Sequence, residues 1–135
     1  TTDGGISWRL EQSDSNEALG EIFHSTSNSF AISGLNLVDL TLGKVSATAK
    51  MPAGISRLLF LNDKNCVGIG QHYEIGFWPY GDIHLTNSTW NSSIKKSYSP
   101  ASESLNFTAI AKKANGKVLV LGAALLATPI VEFKY

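Results

Sequence analysis

Two-residue alternation of apolar and polar side chains is the feature that constrains this chain most. Successive side chains of a strand point to opposite faces, so an alternating stretch can bury its apolar set only as a strand. Ile6, Trp8 and Leu10 alternate with Ser7 and Arg9. Val45, Ala47, Ala49 and Met51 alternate with Ser46, Thr48 and Lys50, and Leu105, Phe107, Ala109 and Ala111 with Asn106, Thr108 and Ile110. Further strands are expected over 19–23, 35–42, 55–61, 72–77, 117–121 and 125–135, between turn-forming stretches such as Leu42-Gly43-Lys44, Pro52-Ala53-Gly54 and Asn62-Asp63-Lys64-Asn65. Asn115-Gly116 reads as a tight hairpin turn, because both residues tolerate positive φ, and it pairs the strand ending near Lys113 with the one starting at Lys117.

Short strands with frequent turns, and no long stretch of helical period, predict an all-β immunoglobulin-like sandwich. The composition of 122–127 also admits a helical turn, and the Ser- and Lys-rich stretch 91–104 reads as a long surface loop. With 135 residues, one core suffices and residues 1–135 are expected to form one domain.

Charge and cysteine content narrow the function. Eleven basic residues balance eleven acidic ones, which leaves no excess to attract phosphate backbones, so nucleic acid is not an expected partner. Ser, Thr and Asn supply about a quarter of the residues, a polar and weakly charged surface of the extracellular kind. The opening Thr1-Thr2-Asp3 fits a secreted chain whose leader has been removed. The apolar run Val118 to Val131 carries Thr128 and Pro129 and falls short of the roughly 20 residues that cross a bilayer, so no membrane insertion is expected. Cys66 is alone and has no activating neighbour, which predicts a small buried hydrophobe. His24, His72 and His84 have no metal-binding spacing, Ser56 completes no nucleophile elbow, and the acidic residues are isolated. Neither an enzyme nor a metal or cofactor protein is expected.

A cluster from Phe77 to Tyr98 is more suggestive. Trp78, Tyr80, Asp82, Trp90 and Asn91 combine aromatic faces suited to pyranose C–H groups with polar groups suited to hydroxyls, which makes them candidates for a glycan site. The competing expectation is that a Trp here belongs to the sandwich core. Asn87, Asn91 and Asn106 open Asn-x-Ser/Thr sequons, which are glycosylated only in a eukaryotic secretory pathway.

The last third of the chain resembles the end of bacterial chaperone–usher fimbrial subunits, of the cysteine-poor type. The likeness rests on Leu105-Asn106-Phe107-Thr108-Ala109, on Leu119 and Gly122, and on the alternation of Val131, Phe133 and Tyr135. It implies an incomplete sandwich whose apolar groove is filled by a donor strand from a neighbouring fimbrial subunit or by a periplasmic chaperone. By the same resemblance Leu119, Leu121, Gly122, Val131, Phe133 and Tyr135 would line that groove, and the protein would reach the bacterial cell surface after periplasmic export. Residues 1–12 could themselves be the donor, or the subunit could receive a strand without giving one, or the sequence could be trimmed there. The expected function is a fimbrial subunit contributing to adhesion to host surfaces, with a host glycan as a further partner. The alternative is a self-contained, lectin-like carbohydrate-binding sandwich.

Overall fold

Every regular element among the described residues is a β-strand, as the alternation requires. The computed structural model describes residues 19–40, 46–74, 79–91, 93–98, 104–124 and 127–135. The strands are β1 (Ile22–His24), β2 (Ser29–Ser33), β3 (Asn36–Asp39), β4 (Ser46–Lys50), β5 (Ile55–Phe60), β6 (Asn65–His72), β7 (Tyr80–Asn87), β8 (Ser93–Tyr98), β9 (Asn106–Lys112), β10 (Lys117–Ala123) and β11 (Ile130–Lys134). They form three antiparallel sheets, β1–β4, β5–β8 and β9–β11, packed as a β-sandwich. Each sheet is a meander of chain neighbours, and the described pairings contain no Greek-key crossover of the immunoglobulin kind.

The sheet β5–β8 is covered on both faces. Phe23, Phe30, Leu37 and Met51 pack against Leu58, Phe60, Cys66 and Trp90 on one side. Val67, Ile69 and Ile83 pack against Leu105, Phe107, Val118 and Val120 on the other. The single expected core is therefore two clusters, and adjacent residues such as Cys66 and Val67 serve different ones because they point to opposite faces. β1 lies beside β5, tied by an exposed Arg57–Glu21 pair at one end. At the other end Asp63 accepts from the Ser25 hydroxyl at 2.7 Å and from the Ser27 amide at 2.9 Å.

Two glycines make room in the second cluster. A side chain at Gly81 or Gly122 would meet the Phe107 or Leu105 side chains, so the fully buried Phe107 ring lies where β7 and β10 are bare. Tyr98 meets the same ring edge-on, with centroids 5.7 Å apart. Opposite Gly122 the β9–β10 register shifts: Phe107 faces Gly122 but Ala109 faces Leu121, leaving Thr108 as the extra residue of a bulge. The inward set of β9 thereby changes from Leu105 and Phe107 to Ile110, and Ala109 and Ala111 turn outward, which regular alternation does not anticipate.

The other expectations divide along similar lines. The hairpin at Asn115-Gly116 joins β9 to β10 as read, but through a longer loop in which Gly116, at φ 82°, donates to Lys113 O at 3.0 Å. β10 runs on as strand to Ala123, against the helical turn that 122–127 also admitted. The expected surface loop 91–104 contains β8, whose polar sequence on a sheet edge shows no apolar period. Of the expected strand over 72–77, His72 is the end of β6 and 75–77 lie outside the described residues, as does Ile6–Leu10. Truncating Phe107 to Ala should cost about 3–5 kcal/mol in urea unfolding, because the bulged strand cannot collapse onto the two glycines.

Candidate functional site

Strand β7 sends Ile83 and Leu85 toward the β9–β11 sheet, so Tyr80, Asp82 and His84 face the other way. Asp82 is only 3% exposed, and its register partners are Gly70 on β6 and Ser97 on β8. His72 on β6 and Lys95 on β8 reach the carboxylate diagonally from either side. Ser97 Oγ donates to Oδ1 at 2.7 Å, while His72 Nδ1 lies 2.6 Å and Lys95 Nζ 3.1 Å from Oδ2. A buried charge requires such partners, and removing one would leave several kcal/mol uncompensated. The contact assigns the Nδ1 proton of His72 to the carboxylate, and Tyr80 stacks on the ring at 5.0 Å. Nε2 is left as the free edge of the imidazole, 3.6 Å from Glu74 Oε1.

His84 continues the row and is 4% exposed, with no partner for Nδ1. Burial holds its imidazole below the ordinary 6.5; Asp82 opposes this, while Lys95 and His72 add to it. Trp90, at φ 56°, lies across Gly68, where any side chain would strike its ring, and tilts against His84 at 5.9 Å.

The expected glycan residues do not form one platform. Trp90 is 9% exposed and belongs to the core, so its ring presents no open face. Tyr80 and Asp82 stand behind His72, Asn91 sits on the exposed turn accepting from Asn87 Nδ2, and Trp78 lies outside the described residues. Sequence reasoning passed over His72 as an ordinary histidine. What could have found it is the alternation in β7, which puts Asp82 and His84 on one face beside a strand with glycines at 68 and 70.

The expected groove residues split in the same way. Val131 and Phe133 pair with Val120 and Val118 and face the core. Leu119 and Leu121 pair with Glu132 and Ile130 on the outer face, so they line no common groove with Val131 and Phe133. Gly122 is a packing site for Leu105 and Phe107. On the outer face Lys113 and Lys117 bond Glu132 and hold its carboxyl down to about 2. Among the described residues no ladder joins β11 to β8, and a seam runs between them. It has a cavity of about 80 Å³ lined by Ile83, Leu85, Tyr98 and Phe133 with Lys96 and Lys134, and a wider one of about 410 Å³ lined by Leu61, Leu85, Ile94 and Tyr135 with Asn65, Thr86 and Asn87.

Among the described residues no group of three or more His, Cys, Asp or Glu side chains is placed to hold a metal ion. No protein-family model, curated protein or solved structure matches this chain. What defines it is its architecture, an all-β protein of three antiparallel meanders.

Two measurements check these environments. Burial pushes the Cys66 thiol up to about 12, so an alkylating reagent at pH 8 should label it only as fast as the protein unfolds. Because the folded pKa of His84 lies below its unfolded value, the unfolded chain binds the extra proton. Stability should fall as pH drops below 6.5 toward the folded value. The His84→Leu variant should show a shallower loss between pH 7.5 and 5.5 in denaturant titrations.

Proposed function

We propose that this domain acts by assembly, as a fimbrial subunit that receives an extended apolar strand from a neighbouring subunit or a periplasmic chaperone. The observation that carries this reading is the seam. Among the described residues β11 is paired only to β10, and the space between it and β8 is lined by Leu61, Leu85, Ile94, Tyr98, Phe133 and Tyr135, with Lys96 and Lys134 at its narrow part and Asn65, Thr86 and Asn87 at its wide part. An unpaired edge beside an apolar cleft is the arrangement that strand addition completes, since the incoming backbone satisfies the edge and alternate side chains enter the cleft. Ile94 and Tyr135, 65% and 47% exposed, stand at the wide end, where a donor side chain would cover them. The resemblance of the last third of the chain to fimbrial subunits supports the same reading. The segment Ile6, Trp8, Leu10 offers an alternating donor within the sequence itself.

Expression of the full chain in a bacterial periplasm, with light scattering on the product, provides the test. A chaperone complex or strand-linked multimer is expected, and the double variant Ile94→Asp, Tyr135→Asp should release monomer without lowering secondary structure. Trp8→Asp should do the same if the donor is residues 1–12. A monomer at every concentration that takes up neither chaperone nor a peptide of residues 1–12 would sink the reading.

A further inference from the structure

A third cavity, of about 590 Å³, opens at the far end of the β5–β6 hairpin and is lined by Ser56, Gln71, His72, Tyr73 and Asn106 beside Gly54. We propose that it binds a neutral, polyhydroxylated ligand, that is, a saccharide. Its volume falls in the roughly 300–1,000 Å³ range of small-molecule sites. The lining carries a hydroxyl, two carboxamides, a phenol and an imidazole, and no Lys or Arg lies in it. Such a wall can donate to and accept from hydroxyls but has no fixed cation for an anionic group.

The wall is built rather than incidental. Gly54 adopts φ 89° and approaches so closely that a side chain on it would strike Gln71 O, while its own carbonyl accepts from the Gln71 amide at 3.1 Å. Gln71 Nε2 donates to the Tyr73 hydroxyl at 3.0 Å, which steadies a ring that is 69% exposed and leaves the Gln71 carbonyl oxygen as acceptor. His72 is held from behind by buried Asp82 and from below by Tyr80. Fixing side chains before the ligand arrives removes part of the ordering cost of binding.

The test uses the full chain on an array of neutral and acidic glycans, followed by calorimetric titration of the strongest neutral one. Tyr73→Ala and Asn106→Ala, both at exposed positions, are expected to weaken binding about tenfold each, or 1.4 kcal/mol, while the melting temperature stays at the wild-type value. Asp82→Asn is expected to weaken binding and to change the imidazole ¹⁵N shifts of His72, which Tyr73→Ala leaves alone. Ile94→Asp in the seam should leave glycan binding intact, so this site stands or falls apart from strand addition. Retention of no glycan, retention of acidic glycans alone, or neutral binding indifferent to both alanine variants would each overturn the proposal.

Discussion

Burial of β6 on both faces is the constraint on which the rest of the molecule depends. From Cys66 to Gly70 every residue is buried, so this one strand must supply two cores at once. Val67 and Ile69 fill one side with branched apolar side chains. The other side carries Cys66, Gly68 and Gly70, and its small residues are as necessary as the large ones opposite. Trp90 occupies the volume above Gly68, and Gly54 and Ile55 occupy the volume above Gly70. A larger residue at either glycine would force the flanking backbone or an indole ring away, and close packing leaves no slack to absorb it.

The polar row on β7 follows from the same arrangement. The sheet β1–β4 covers the central sheet around Leu58, Phe60 and Cys66, and among the described residues this apolar cluster does not include the row at Asp82 and His72. Groups along that row satisfy one another instead. Asp82 receives three donors, and the two atoms that find none, His84 Nδ1 and Trp90 Nε1, lie where the apolar cover begins. Orphaned polar atoms at this boundary cost stability, and they mark where packing has overridden polar satisfaction. The exposed pairs elsewhere, such as Arg57 with Glu21, add little to the fold by comparison.

How far the fold was legible in the sequence depended on whether each strand keeps one dry face. β10 and β11 do, with Val118, Val120, Val131 and Phe133 inward at every second position, and the expected stretches 117–121 and 125–135 overlap them. β6 has no wet face and two glycines, so no period of two could appear. β8 has no dry side chains except at its end, and its six residues read as loop. β7 did alternate, but with Asp82, His84 and Thr86 in the buried set, the reverse of what an apolar pattern looks for. The site was less legible for a related reason. Tyr80 and Asp82 belong to the expected glycan set, whereas in the fold they hold a histidine contributed by the neighbouring strand, a relation set by register. Leu119 and Leu121 stand one residue out of phase with Val118 and Val120, so they face the side opposite Val131 and Phe133, a relation that parity along the strand sets.

Order in the central sheet also decides whether assembly and ligand binding can coexist. The seam lies along β8, one edge of β5-β6-β7-β8, and reaches the β5–β6 turn at Leu61 and Asn65. The polar cavity lies at the opposite end of that hairpin, at Gly54 and His72. The six residues of β5 separate the two ends by about 20 Å at 3.3 Å per residue. A strand docked beside β11 would therefore bury Ile94 and Tyr135 without touching Tyr73 or Asn106. Under the proposed assembly the polar cavity would stay open to solvent, with β6, fixed from both sides, as the rigid element between the two regions.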